Sequence, residues 1–469
     1  MIRFLRVGLF LLLITGGGGL LAAGEVLKLE DVISAVCNES DSVQGLSENI
    51  KKSKQQIREQ YANALPTISG QIFAGRSYGQ GMGSGSAGGG GVGIPDSTTV
   101  TFGMLQGMLG QTFAKMYESD DAPIYSASLS ISQPIYTFGK VGTAVKVANY
   151  YDSATQLSVK RSIQNLQLAG LDLYYGLYLA DMALSVQQGS VARLQDQSEF
   201  LTRNFSLGAG SKAQILSTNA ELEKLKSDIM VSKQSLRTLK KRMGMMIGRE
   251  RADSIELDTA GALVRSFIET LPTFDDAVKT AIENRDDLKS LDYMRKANDG
   301  GVKIFKAMYY PSIAAKAEVG TGGKEFENLF DSDYRTWQVG VGLQWTMFDG
   351  FANSAKARQY QSDSRKLSIT RNMLLKVLAI EIDAALTSCV TADSAVVASE
   401  SALAAMKEVY QLTYDNFKQG SGQFTELQLA EERLRQSEFA IVSAKCTKIR
   451  NRAVLLVAMG KNIIPVEGK

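Results

Sequence analysis

The sequence predicts an α+β membrane protein built from two tandem structural repeats. Four strands per chain enter a β-barrel closed by several copies, and a long α-helical coiled coil continues it. Three observations carry this expectation: internal self-similarity, two distinct hydrophobic periods, and an N-terminus of export type.

The N-terminus comes first. Arg3 and Arg6 precede an apolar run from Val7 to Ile14, and small residues around Ala22, Ala23 and Gly24 follow. That order of basic, apolar and small residues reads as a cleaved signal peptide over residues 1–24. A retained membrane anchor is the alternative. No cysteine stands at the expected cleavage point, which argues against lipid attachment there. Beyond this segment no run of 18 apolar residues recurs, so no transmembrane helix is expected.

Self-comparison then divides the rest. At an offset of 245, Asp41 meets Asp286, Leu46 meets Leu291, Pro66 meets Pro311 and Ile68 meets Ile313. Further on, at an offset of 212, Asn204-Phe205 meets Asn416-Phe417, Gly208 meets Gly420, Gly210 meets Gly422 and Gly248 meets Gly460. The change of offset places 33 extra residues in the first copy, near the Gly-rich stretch from Gly79 to Pro123. The expected division is a first repeat over 25–248, a linker over 249–272, a second repeat over 273–460 and a tail over 461–469.

Each repeat reads helix, strand, loop, strand, long helix, turn, helix. The first helix is expected over Asp31 to Ala64, stopping ahead of Pro66. The strands alternate: Tyr125, Ala127, Leu129 and Ile131 against Ser126, Ser128, Ser130 and Ser132. In the second copy Trp337, Val339, Val341, Leu343, Trp345 and Met347 alternate with Gln338, Gly340, Gly342, Gln344 and Thr346. Period two with one apolar and one polar face is a half-covered strand. The strands near Ile68 and Ile313 alternate less cleanly. A heptad helix is expected over Lys140 to Phe205, about 100 Å long, with Leu166, Ala169, Leu173, Leu177, Ala180, Leu184, Leu194 and Leu201 on its packing face. Its second copy carries Leu378, Ala385, Cys389, Ala392, Val396, Leu403, Met406 and Tyr410. Spacings of three and four sustained this far imply helices wound around one another. Shorter return helices, the first near Lys212 to Ile247, leave room for a second short helix end to end beside each long one.

Strands of about ten residues cross a bilayer when tilted. Four cannot close a barrel, and open edges in lipid leave backbone groups unsatisfied. Copies of the chain must therefore share one, and three copies supply twelve strands. Trp337, Trp345, Tyr125 and Tyr136, near strand ends or on the apolar face, suit a membrane-interface role.

Composition excludes other classes. Lys plus Arg is 52 against 49 for Asp plus Glu, so nucleic acid is not an expected partner. Histidine is absent, which removes the commonest general base and metal ligand. Three cysteines at unrelated spacings suggest neither a disulfide framework nor a zinc site. Met243, Met245 and Met246 read as packing rather than a soft-metal site, and Gly88 to Gly91 lacks the Lys-Ser/Thr of a phosphate loop. No metal, cofactor or catalytic residue is expected.

Several segments resemble the TolC-type outer-membrane efflux protein family. Leu65-Pro66-Thr67-Ile68 and Tyr310-Pro311-Ser312-Ile313 are similar to its first-strand motif. Gln133-Pro134-Ile135-Tyr136-Thr137-Phe138-Gly139 and Trp345-Thr346-Met347-Phe348-Asp349-Gly350 resemble its signature after the second strand. Asn204-Phe205-Ser206-Leu207-Gly208 and Asn416-Phe417-Lys418-Gln419-Gly420 resemble its helix-hairpin turn. The resemblance spans about Leu27 to Gly460. It implies a homotrimer in outer-membrane lipid, with a 12-stranded barrel and a 12-helix periplasmic tunnel. Such a protein is the passive exit duct of a tripartite efflux or type I secretion system, with a periplasmic adaptor and an inner-membrane pump or ABC transporter as partners. By the same resemblance, Glu426 falls on the first acidic position of the periplasmic gate, Leu429 replaces the second, and Gln214 is the repeat equivalent of Glu426. A carboxylate near a helix N-terminus is also favoured by the helix dipole alone. The tips Gly208-Ala209-Gly210 and Gly420-Ser421-Gly422 would dock the adaptor, while their glycines also serve chain reversal. The implied opening is an iris, in which the helix pair carrying Glu426 rotates outward. The alternative is a periplasmic coiled-coil scaffold without a pore.

Overall fold

The computed structural model of the chain describes residues 26–77, 122–208, 210–249, 255–258, 263 and 267–464. The elements run β1 (Val26–Leu27), α1 (Leu29–Asn38), α2 (Asp41–Ala62), β2 (Thr67–Ser77), β3 (Ala122–Tyr136), α3 (Lys140–Ser206) and α4 (Lys212–Met246). They continue with β4 (Glu256–Leu257), α5 (Phe274–Asn284), α6 (Asp286–Ala307), β5 (Ser312–Gly323), β6 (Arg335–Gln344), α7 (Ala352–Lys418) and α8 (Phe424–Ala458). Helices α3 and α7 each hold 67 residues, α4 and α8 each 35, and α2 and α6 each 22. The chain forms two compact units. One holds the residues up to Ser53, Tyr151–Arg295 and those from Arg365 on; the other holds Lys54–Tyr150 and Lys296–Ser364.

The single helix expected over Asp31 to Ala64 is two helices. α1 ends at Asn38, and Ser40 makes the break: its Oγ donates to the Val36 carbonyl at 2.7 Å and accepts from the Val43 N–H. The serine thereby closes one helix and caps the next. Between α5 and α6, Arg285 takes an extended ψ of 117°. The return helices end against these two breaks. Gly248 and Gly460 have φ of 70° and 76°. A Cβ on Gly248 would stand 3.3 Å from the Glu39 carbonyl oxygen, and one on Gly460 would stand 2.8 Å from the Arg285 nitrogen. Glycine is required at both places for backbone sign and for room.

In the first unit, one core joins Val32, Ile33 and Val36 of α1 to Leu171, Tyr174, Tyr175 and Leu177 of α3, Met243 of α4 and Ile449 and Ala453 of α8. Another joins Ala277 and Ala281 of α5 to Leu378, Ile382, Ala385 and Cys389 of α7 and Leu455 of α8. The heptad frame expected for α7 is buried as read at Leu378, Ala385, Cys389, Ala392 and Val396. The α3 frame is buried as read at Leu177, Leu184, Leu194 and Leu201, but Ala169 is exposed, and the buried positions toward that end run Gln164, Gln167, Leu171, Tyr174 and Tyr178. Apolar scanning misses glutamines, and here they are fully engaged. Gln167 donates to the Ile464 carbonyl and accepts from the Ile463 N–H, while Gln164 donates to the Gly460 carbonyl. They strap the chain beyond α8 onto α3.

In the second unit, β2, β3, β5 and β6 form one antiparallel sheet in that order. β3 is longer than expected at 15 residues. β6 is shorter and stops at Gln344, so Trp345 and Met347 lie in the turn toward α7.

Candidate functional site

The sheet is two-faced in all four strands. Cross-strand partners share a face, and the register therefore groups the side chains. Ile68 pairs with Ile131, Ile131 with Ala317 and Ala317 with Val339; Leu129 pairs with Val319 and Val319 with Trp337; Ile313 pairs with Leu343. These make one apolar face. The opposite face carries Thr67, Ser69 and Gln71, then Ser126 to Ser132 at alternate positions, Lys316, Glu318, Gly320, Thr336, Gln338, Gly340 and Gly342, interrupted by Phe73 and Ile124. Ser69 and Ser130 share a 2.8 Å hydrogen bond on it. In the lone chain the apolar face is bare: Trp337 is 79%, Val339 71% and Val341 69% exposed. A contiguous apolar surface of this kind needs a cover.

Aromatic rings stand at both margins of the apolar band. At the loop margin Tyr125 meets Phe326 edge to face at 5.7 Å, and Trp337 lies one step from Arg335. At the helix margin Tyr136 packs on Phe138 at 4.7 Å, and Phe138 stacks on Tyr310 at 5.5 Å. Tyr136 reaches the apolar face through a register shift after Pro134 that sets it opposite Ile313. Pro134 has no N–H for the ladder, and irregularity at such a residue is expected. Trp345 donates its indole N–H to the Tyr309 carbonyl at 2.9 Å. Asp349 caps α7 through the Asn353 N–H at 2.8 Å. Phe138 and Phe351 hold φ of 50° and 67°, beside Gly139 and Gly350 in the same region. Two successive left-handed residues thus turn each strand into its long helix.

The helix tips are built alike. Gly208 and Gly420 both take φ of 78°. A Cβ on Gly210 would meet the Phe205 nitrogen at 2.7 Å, and one on Gly422 the Phe417 nitrogen at 2.8 Å. The first glycine of each tip reverses the chain, and the last lies flat on the helix end. Ser421 and Gly422 both donate to the Asn416 carbonyl. Ala209 lies outside the described residues. Leu207, in one tip, is 81% exposed.

The gate candidates lie just past these tips. Glu426 is in the first turn of α8 and exposed; Leu429, three residues on, shares its side of the helix and is 50% exposed. The adjoining stripe of α8 is buried through Leu427, Ala430 and Leu434. Gln214 is half-buried in the first turn of α4, and its carbonyl accepts from the Thr218 hydroxyl. Among the described residues no hydrogen bond or ion pair joins Gln214 to Glu426; a nearby tie between α4 and α8 is Gln428 to Ser217 at 3.3 Å.

A buried ionic cluster beside this region escaped sequence reading. Arg193 of α3 donates from Nε to both oxygens of Glu431 of α8 at 2.9 Å, and its amino groups reach Glu438 and Ser190. The guanidinium also stands 5.9 Å from the ring centre of Tyr410 on α7. Burial works against the Arg193 charge, but Glu431 and Glu438 outweigh it and raise its pKa. Burial pushes the Tyr410 phenol up, with Glu431 adding to the effect. The signal for this cluster was a glutamate inside the apolar frame of Leu427, Ala430 and Leu434, with a second one turn-pair later at Glu438.

Among the described residues no three His, Cys, Asp or Glu side chains gather as metal ligands. Met243 is buried in the core and Met245 is 80% exposed, so the methionines do not face one site. Cys37, Cys389 and Cys446 are free and buried. No described helix is long and apolar enough to cross a membrane.

The sequence profile described as "Outer membrane efflux protein" matches residues 32–248 and 277–461. The chain belongs to that family. It is an outer-membrane protein that works in export. Relatives of this efflux protein include the "Probable efflux pump outer membrane protein TtgC" of Pseudomonas putida, 21% identical over 352 residues, covering 73% of this chain and 70% of TtgC. The "Probable outer membrane lipoprotein SilC" of Salmonella typhimurium is 22% identical over 253 residues, covering 51% of this chain and 52% of SilC. The match to the "Alkaline protease secretion protein AprF" of Pseudomonas aeruginosa is 23% identical and covers 52% of this chain and 50% of AprF. The chain thus spans about half the length of two of these relatives. Its fold is that of the outer membrane protein VceC of Vibrio cholerae, with a TM-score of 0.71 at 15% identity over 93% of this chain and 97% of that one. It is also that of the Neisseria gonorrhoeae MtrE outer membrane channel, with a TM-score of 0.69 at 20% identity over 93% and 89%. Family membership sets aside the scaffold reading.

Proposed function

We propose that this efflux protein assembles as a homotrimer, made of two tandem repeats per chain, into a 12-stranded barrel continued by a helical tunnel. It serves as the passive outer-membrane duct of a tripartite efflux or type I secretion system and does no chemistry itself. The observation that supports this reading is the two-faced sheet whose outer strands, β2 and β6, lack a partner on one side among the described residues. In lipid such edges cost several kcal/mol for each unpaired backbone group; pairing β2 of one copy with β6 of the next removes them all. The apolar face and its aromatic margins then meet lipid, and the serine–glycine face lines the lumen. A second support is α7, where Ile369, Met373 and Ile380 are each exposed by 66% or more at helical spacing, a stripe suited to a neighbouring copy.

Glu426 would line the inner mouth as a ring of three carboxylates, with Leu429 as an apolar ring beside it and Gln214 on the flanking hairpin. An adaptor protein would dock on the tips at Gly208–Gly210 and Gly420–Gly422 and turn the α7–α8 pair outward, coupling the duct to an inner-membrane pump or ABC transporter. The test is the mass of the protein extracted from outer membranes in detergent. A particle near three times the chain mass is expected; a monomer would overturn the shared barrel. Conductance of Glu426→Gln should then differ from the native channel in cation preference, and identical preference would remove Glu426 from the mouth.

A further inference from the structure

The polar face of the sheet is nearly featureless. Serine, glycine, threonine and glutamine make up most of it, with Phe73 and Ile124 toward the loop end, and Lys316 and Glu318 are the two charges on it among the described strand residues. Both lie on β5, two residues and about 7 Å apart on one side of the strand. Lys316 is flanked by Ser132 and Gly340, and Glu318 by Ser130 and Gln338. Both residues are half-buried on this face. One carboxylate oxygen of Glu318 is out of solvent and has no hydrogen-bond partner. A carboxylate oxygen withdrawn from water is costly until a donor or cation meets it.

We propose that Lys316 and Glu318 are the electrostatic filter of the barrel lumen. This rests on the barrel reading above. Each subunit contributes one cation and one anion at adjacent levels, so three copies give a belt that is bipolar and net neutral. Such a belt offers a counter-charge to each end of a zwitterionic solute and excludes neither sign outright. The solutes it suits are neutral or zwitterionic polar molecules, with the Glu318 carboxylate level with their cationic ends and the Lys316 ammonium level with their anionic ends.

The experiment uses the full-length protein in its membrane with Ser130→Cys as reporter, since Ser130 lies directly opposite Glu318. The native cysteines are buried and stay silent. The rates of a cationic and an anionic thiosulfonate reagent of equal size are compared as a ratio. Coulomb interaction across about 7 Å of screened water predicts a shift of about threefold in that ratio for each charge removed. Glu318→Gln should lower the cation-to-anion ratio and Lys316→Gln should raise it. In the unsubstituted background the ratio should exceed that of a free thiol and fall toward it in high salt, a readout that requires no charge variant. A reactive Ser130→Cys whose ratio is the same in all three backgrounds, or insensitive to salt, would overturn the filter and leave the barrel standing. An inert Ser130→Cys beside a reactive Val341→Cys would overturn the barrel reading itself, because Val341 lies on the apolar face.

Discussion

Replacing Arg193 by Met removes the one cation that faces Glu431 at hydrogen-bond distance in the described structure. The Glu431 residue is 7% exposed and Glu438 accepts from the same guanidinium. Glu431 and Glu438, both on α8, are left uncompensated at the contact with α3, with Ser190 still hydrogen-bonding Glu431. Breaking one partner out of a buried ion pair costs about 3–5 kcal/mol. The Arg193 side chain is 24% exposed, so water reaches one edge of the pair and the low end, about 3 kcal/mol, is the expected loss. Hydrogen exchange reads this locally. Protection of the α3 amides around Ser190 and the α8 amides around Leu434 should fall about a hundredfold, since about 1.4 kcal/mol is a factor of ten. Amides of the core around Leu378 and Ile382 should keep theirs. Arg193→Met combined with Glu431→Leu should recover most of the loss, because an apolar pair of similar volume leaves no orphaned charge. If Arg193→Met leaves the protection around Ser190 intact, or if the double variant is as damaged as the single one, the cluster does not hold α3 to α8.

At the tips, Gly422→Ala must move the backbone around Phe417 to relieve a 2.8 Å approach, while Gly420→Ala places a Cβ on a φ of 78° at a cost of about 1–2 kcal/mol. Limited proteolysis at the tip should be faster for both than for a Ser421→Ala control, and equal rates would refute the geometry. Acid should loosen the first unit. Burial raises the Asp287 pKa, but the hydrogen bond and charge of Arg285 outweigh it and hold the carboxyl below the ordinary range. The hydrogen bonds and charges of Lys448 and Arg452 likewise outweigh desolvation at Asp393. Because these folded pKa values are depressed, their stabilisation is present above the unfolded value near pH 4 and is lost as pH falls through the folded one. Thermal unfolding followed below pH 4 should show Asp287→Asn with a shallower pH dependence than the native chain; an unchanged slope would remove Asp287 from the account.

Much of this was legible in the chain. The long helix expected over Lys140 to Phe205 is observed over Lys140–Ser206, because a heptad sustained for 66 residues is a local signal repeated many times. The α7 packing face was read correctly from Leu378 to Val396 for the same reason. The break at Ser40 was missed, since one helix was expected from Asp31 to Ala64, although its signal, a serine followed by Asp41, is local. The buried face of α3 around Gln164, Gln167 and Tyr174 was not legible. Those side chains are polar or amphipathic, and what buries them is the partner each one finds: Ile463, Ile464 and the Asp258 carbonyl.

By itself the sequence determined the periods, the extent of the long helices and the turn chemistry, since backbone geometry answers to neighbours a few residues away. Only the tertiary structure decided which strand pairs with which, that Tyr136 turns to the apolar face at the Pro134 irregularity, and that Lys316 and Glu318 stand alone on a polar wall. It also decided that Arg193 meets Glu431 across 238 residues. Pairing between distant segments depends on the summed burial and hydrogen bonding of whole faces, and no local window of the chain contains that sum.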